Sequence, residues 1–256
     1  SYCHTPSRFL YGYETQAEWQ RYGPIRIYGH LVAHFLRLYD FLGAKRVDKF
    51  IANSKNTQAR IEKFYRKDSR VIYPPVEMRT VNVKKEDYFL VVSRIVGMKG
   101  VELAMQAANK LRVPLKIAGG RAGLKFLSED LEKYNSKYVE FLGEVTEEEK
   151  IKLMAGAKAF LALAQDEDFG MSLVESMAAG TPVVAFAGGG YLETVVEGKT
   201  GTFFKKYSVK SLVEAMKRID KVKIFKADCQ TKAAKFSKEI FIKKMKEVVS
   251  ARTTRS

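Results

Sequence analysis

Only two cysteines, Cys3 and Cys229, occur in the chain, far apart and without a shared motif. Two lone thiols fit a reducing compartment better than a secreted disulfide framework. No stretch approaches the roughly 18 consecutive apolar residues that a bilayer-crossing helix requires. No basic-then-apolar leader opens the chain, and Ser1-Tyr2-Cys3-His4 reads as the middle of a fold. Low-complexity tracts are absent. Neither G-x-G-x-x-G nor G-x-x-x-x-G-K-[ST] occurs, so dinucleotide-binding and P-loop readings lose support. Acidic residues are the scarcer charge: 29 against 45 basic, a formal net charge of +16.

What remains is ordinary globular material, 46% hydrophobic and 29% charged over 256 residues, enough for one large or two modest domains. The positive excess attracts nucleic acid, anionic lipid or phosphorylated ligands without choosing among them. It gathers at Lys205, Lys206, Lys210, Lys217, Arg218, Lys221, Lys223 and Lys226, then at Lys238, Lys243, Lys244 and Lys246 of a C-terminal helix. That run reads as a solvated helix face or as a patch for an anionic membrane surface. No aromatics interleave with it in a recognisable motif, which disfavours nucleic acid.

From Tyr88 onward the apolar period keeps switching. Tyr88–Ser93, Leu115–Ala118, Tyr138–Leu142, Ala159–Ala164, Val183–Phe186 and Gly201–Phe204 read as buried strands. Between them lie helical spacings: Val101 to Ala108, Leu124 to Tyr134, a Thr146/Glu149 capping box ahead of Ile151, then Met171–Ala179, Tyr191–Glu197 and Ser208–Ile219. Such alternation predicts a parallel sheet covered on both faces, with ligands at the carboxyl ends of its strands. The first ~80 residues differ. Tyr28–Phe41 predicts an amphipathic helix with Leu31, His34, Phe35 and Leu38 on one side, and Ser54 caps a helix running to Tyr65. Pro74-Pro75 after Val71-Ile72-Tyr73 reads as an interdomain hinge. The first part has too few strands to close a sheet on its own and reads as the tail of a domain, so the expected division is 1–80 for that remnant and the hinge, 81–230 for a ligand-binding domain, and 231–256 for the basic helix.

The richest segment is EDFGMSLVE, with Glu167 and Glu175 at its ends and Gly180-Thr181-Pro182 closing the helix behind it. A strand, an acidic loop, a glycine and a helix start leave unpaired backbone N–H groups that, with the helix dipole, favour an anion. Carboxylates repel bare phosphate but suit hydroxyls, so the segment fits a phosphate flanked by polyols, as in a nucleotide sugar. Glu167 and Glu175 also allow a general acid/base pair, or plain structural roles. Arg94 and Lys99, in the loop SRIVGMKG after a strand, suit a diphosphate; alone they would read as solvated loop charges. Gly119-Gly120 permits close backbone approach to a ligand, or is only a turn. Gly188-Gly189-Gly190 is a second anion seat or a tight connection. His30 and His34, at i and i+4, have a metal-ligand spacing but no third ligand nearby, which favours core or interface roles. His4 stands at a strand end before Thr5-Pro6.

Taken in order along the chain, these segments resemble a retaining glycosyltransferase of the large two-domain nucleotide-sugar family, family 4 by the usual sequence grouping, with a GT-B fold. The resemblance runs from Ser1 to about Val249. EDFGMSLVESMAAGTPVVA is similar to the family's E-x7-E signature at Glu167 and Glu175, and SRIVGMKG to its donor-phosphate loop, while FLGEV and EGKTG stand where the family has such segments. YCHTPSRFLY and VDKFIANSKNTQARIEKFY resemble the late acceptor domain of its mannosyltransferases. The resemblance implies two Rossmann-like domains, no metal and retention of anomeric configuration. Arg94 and Lys99 would hold the donor diphosphate, Glu167 the transferred hexose and Glu175 the nucleotide ribose. Phe169, Gly170, Met171 and Ser172 would meet phosphate or sugar, beside Gly119 and Gly120. His4 would contact the donor sugar near the reacting carbon. The family's acceptor domain starts ~100 residues or more before the position of Ser1, which implies a longer chain or a companion polypeptide.

The sequence therefore predicts an α/β fold: a Rossmann-like donor-binding domain plus a remnant of a second, with the C-terminal helix crossing back to it. The expected activity moves a hexose, mannose from GDP-mannose or a sugar from a UDP-sugar, to a glycan or lipid-linked acceptor. The expected place is the cytoplasmic face of a membrane, with peripheral contact to anionic lipid and no nucleic-acid partner. A nucleotide-sugar epimerase and a non-catalytic nucleotide-sugar-binding module are the alternatives.

Overall fold

The computed structural model describes residues 1–13, 23–95, 99–120 and 131–253. It divides into two compact units, Ser1–Tyr73 and Pro74–Ser256. In the first, three short parallel strands, β1 (Tyr2–Cys3), β2 (Phe50–Ala52) and β3 (Ser69–Val71), pair in that order. Helices α1 (Gly23–Lys45) and α2 (Lys55–Tyr65) accompany them. Ser54 caps α2 as its sequence position predicts, its hydroxyl accepting from Thr57 N at 3.0 Å. The core of this unit is small: Ala44, Phe50, Ala52, Ile61 and Tyr65.

The stripe that makes α1 read as amphipathic faces outward, with Leu31 62%, Phe35 71% and Leu38 54% exposed. The helix is held instead by buried Ala33 and Ala44, by Arg37 donating to Leu10 O, and by Tyr11 donating to Asp40. His34 is exposed with them, its ring edge-on to Phe35, so it is not a core histidine. Periodicity marks which residues share a face but not whether that face is covered.

The second unit is built on six parallel strands in the order β6-β5-β4-β7-β8-β9. They are β4 (Phe89–Val92), β5 (Leu115–Ala118), β6 (Val139–Gly143), β7 (Ala159–Ala162), β8 (Val183–Phe186) and β9 (Gly201–Phe204). The central strands are nearly continuous apolar runs, as a sheet covered on both sides demands. Phe89, Val91 and Leu161 join a core with Met105 of α3 (Val101–Leu111) and with Leu212 and Met216 of α7 (Val209–Ile219). On the other face lie α4 (Glu147–Gly156), α5 (Met171–Ala178) and α8 (Lys226–Ala234), packed in series. Each fully buried Leu, Val or Phe contributes about 1.5–3 kcal/mol.

Local signals are realised closely. Thr146 and Glu149 form the complete capping box of α4, and Ser208 caps α7. The segment read as a helix to Glu197 stops earlier, as α6 (Tyr191–Thr194). The hydroxyl of Thr194 donates to its own helix carbonyl at Gly190, and Glu197 turns to accept from Phe203 N at 2.7 Å. Leu124 and Leu127 lie outside the described residues, while Leu131 is buried and Tyr134 packs against the core. The last helix, α9 (Lys238–Thr253), is joined to the unit by a bridge between Val76 and Ser237, and it interleaves Glu239 and Glu247 with Lys243 and Lys246. Among the described residues no helix is long and apolar enough to cross a membrane.

Candidate functional site

Strand order builds the site. After β4 the chain runs outward to β5 and β6, then returns to place β7 on the other side of β4. At such a switch point the loops leaving two adjacent strands diverge, and a crevice opens at their carboxyl ends. The loop leaving β4 carries Arg94 and Lys99; the loop leaving β7 carries Glu167 and leads into α5. Residues 96–98 lie outside the described residues.

The two loops touch. Lys99 Nζ donates to Glu167 Oε2 at 2.8 Å, with side chains 25% and 20% exposed. Glu167 has a second neighbour in the buried Tyr191: both side chains come within 4 Å of where a Cβ at Gly170 would stand. Burial, reinforced by the Glu167 charge, holds the Tyr191 phenol protonated far above the usual tyrosine range. The carboxylate is thus held by the ammonium of Lys99, beside the buried ring of Tyr191.

Gly170 makes the loop-to-helix turn at φ +90°, a conformation that L side chains rarely adopt. A Cβ at this position would also stand 2.7 Å from the Tyr191 ring. Having no side chain, Gly170 leaves the N-terminus of α5 uncapped by side chains, with Met171 46% exposed beside it and Ser172 following in the first turn. This end of α5 presents backbone N–H groups and the positive end of the dipole. Phe169, by contrast, is buried, its ring edge-on to Phe236, so its side chain anchors the loop. Of the triple glycine, Gly190 N donates to Glu167 O at 2.8 Å. The triple glycine is therefore a tight connection that braces the acidic loop, not an open anion seat.

Gly119, at φ +136°, abuts the carbonyl of Ser93, and Gly119 N donates to Gly143 O at 2.7 Å. Ile95 N donates to Gly120 O at 3.0 Å, and the Glu144 side chain lies beside Gly120. The pair thus joins three strand ends behind the β4 loop. Arg94 follows Ser93 and is exposed.

Glu175, one turn into α5, reaches a different lysine. Lys150 Nζ lies 3.2 Å from Glu175 Oε2 and 2.8 Å from Glu147 Oε2. A cavity of about 160 Å³ opens beside these groups, lined also by Val76, Met154 and Met171. Neither Lys150 nor Tyr191 stands out in the sequence as a site residue. The spacing of Lys150, four residues after the Thr146 cap, was the available signal, but its partner is 25 residues away on another helix. His4 lies in the first unit, exposed, with its carbonyl accepting from Thr57 Oγ1 at 2.9 Å and its ring edge-on to Tyr2. Among the described residues no three His, Cys, Asp or Glu side chains converge to hold a metal ion.

Comparisons with known proteins identify the fold and the family. The family model described as "Glycosyl transferases group 1" matches residues 77–236. A glycosyltransferase of Methanocaldococcus jannaschii, named as uncharacterized, is 28% identical over 168 residues, 65% of this chain and 48% of its own. The alpha-1,3/1,6-mannosyltransferase ALG2 of Dictyostelium discoideum is 32% identical over 171 residues, 57% of this chain and 40% of its own. The chain thus spans less than half the length of either relative. Among solved structures, sucrose-phosphate synthase from Thermosynechococcus elongatus aligns at TM-score 0.79 and 19% identity, covering all of this chain and 68% of that one. Anabaena Alr3699/HepE in complex with UDP-glucose aligns at TM-score 0.75 and 21% identity, covering 84% and 67%. These likenesses establish the fold, Rossmann-like parallel-sheet architecture of the GT-B glycosyltransferase type. With the family model matched across most of the second unit, the chain belongs to the group 1 glycosyl transferases.

Proposed function

We propose that the second unit binds a nucleotide-sugar donor and that the chain takes part in transfer of its hexose, with retention of configuration, to a glycan or lipid-linked acceptor. The observation that carries this reading is the 2.8 Å contact of Lys99 with Glu167 beside the uncapped start of α5. It brings an ammonium, a carboxylate and a helix start without a side-chain cap together at one switch point. A diphosphate entering there meets Lys99 and the helix end, and negative charge grows on it as the glycosidic bond breaks. Stabilising that growing charge lowers the barrier. Glu167, released by Lys99, accepts hydrogen bonds from the hexose hydroxyls, and Glu175 accepts them from the ribose diol.

Mannose from GDP-mannose is the proposed donor, supported by the mannosyltransferase-like segments around His4 and by the ALG2 relative. A thermal-shift panel of GDP-mannose, GDP, UDP-glucose and UDP tests it. A ligand at 100 times its Kd stabilises by about 2.7 kcal/mol, so the bound nucleotide raises Tm clearly. Absence of any shift with all four would refute donor binding.

A further inference from the structure

We infer that Lys150 is a positioning residue for ribose recognition, fixing the carboxylate of Glu175 by bridging it to Glu147. This inference rests on the ribose role given to Glu175 above. Three facts support it. The Lys150 side chain is only 16% exposed, an unusual depth for a lysine, and its ammonium contacts two carboxylates. The partners differ in freedom: Glu147 is 70% exposed on the first turn of α4, whereas Glu175 is 26% exposed on α5. The bridge therefore ties one helix to the other at the point where Glu175 borders the cavity of about 160 Å³. By the ~30 Å³ share of one liquid water, that space suits one sugar ring and not a whole nucleotide.

The chemistry is consistent. Burial works against the Lys150 charge, but the hydrogen bonds and charges of Glu147 and Glu175 outweigh it and leave its pKa raised. An ammonium that stays charged neutralises Glu175 and uses one of its oxygens. A carboxylate has about four lone-pair sites, so acceptor capacity remains for a pair of vicinal hydroxyls, in an orientation set by α4. Without Lys150, Glu175 would be a half-buried charge with a free rotamer, a weaker reader of a diol.

The test measures binding of GDP and UDP, and of their 2′,3′-dideoxy counterparts, to wild type, Lys150→Met and Lys150→Arg by calorimetry. Wild type should prefer the ribose form of whichever nucleotide binds by about tenfold, the size of a charge-assisted hydrogen bond. Lys150→Met should cut that preference to about twofold while dideoxy affinity stays near wild type, and Lys150→Arg should restore most of it. Adding Glu175→Gln to Lys150→Met should change the ratio little, since the preference lost with Lys150 is the one that Glu175 supplies. An unchanged ratio in Lys150→Met, or equal losses for ribose and dideoxy forms, overturns the inference while leaving donor binding intact. If wild type binds neither nucleotide, the reading of the site falls and the inference with it.

Discussion

The two ends of the parallel sheet in the second unit use lysine in opposite ways. At the amino end, Lys85 donates to the carbonyl of Ala157 and the hydroxyl of Thr181, and Lys158 bridges Asp87 and Asp220. Tyr88 donates to Leu153 O at 2.7 Å nearby. Each of these groups closes a connection inside the fold. At the carboxyl end, Lys99 pairs with Glu167 across two loops that owe their shape to glycine and leave a helix start uncapped. On the proposed function those groups exchange partners for a ligand, whereas the amino-end groups stay tied within the fold. The difference separates where the fold is fastened from where the donor is proposed to enter.

The largest effect is expected where the carboxyl-end loop is most constrained. Gly170→Ala forces an L residue to φ +90° and a methyl group against Tyr191. Stability should drop by about 1–3 kcal/mol, with loss of the nucleotide-induced rise in Tm; an unchanged melting curve would show that the loop shape does not matter. Next comes Lys99→Ala, which should weaken binding of a nucleoside diphosphate by about tenfold but leave the nucleoside little changed. Calorimetry with both decides, and equal losses would move Lys99 away from the diphosphate. Glu167→Ala should lower discrimination between GDP-mannose and UDP-glucose relative to GDP and UDP by about fivefold, without reducing affinity for the free diphosphates. A matching fall in diphosphate affinity would contradict its role with the hexose.

The smallest effect on nucleotide binding belongs to the amino end, and it separates the two. Lys85 has its pKa lowered to about 8, first by burial and then by neighbouring Lys226, partly opposed by Cys229. Between roughly 8 and its ordinary 10.5 the unfolded chain keeps a proton that the folded chain has released. Stability from this group therefore rises with pH across that window, is complete above it, and is lost as pH falls through about 8. Relative to Lys85→Met, wild type should gain stability from pH 8 to 10.5 in urea titrations, with nucleotide affinity alike in both. A constant difference would dismiss the linkage, and altered affinity would blur the contrast between the two ends.

Much of this architecture is legible from residues alone, for definite reasons. Strands such as FLVV and AFLA are buried on both faces, so they appear as unbroken apolar runs. Caps at Ser54 and Thr146 are local, fixed within three residues, and hold as expected; Ser208, read only as the start of a helical spacing, caps its helix by the same geometry. What depends on distant partners is less visible. The outward turn of the α1 stripe, the early end of α6 at Thr194 and the contact of Lys150 with α5 are each decided by packing between elements. Lys99 and Glu167 are 68 residues apart, and only the strand order makes them neighbours. The acidic loop reads as a polyol site from its composition, but its buried neighbour, Tyr191, lies in a segment whose sequence advertises only glycine.

On the proposed function, the pairing of Lys99 with Glu167 also governs how the donor diphosphate finds this crevice. A lysine already matched by an internal counter-charge adds little to the long-range potential, so the general excess of +16 does the steering and is screened by salt over about 10 Å at 0.1 M. Selectivity then begins only on arrival, when the newcomer competes with Glu167 for the ammonium. Ionic strength should accordingly slow capture more than it hastens escape.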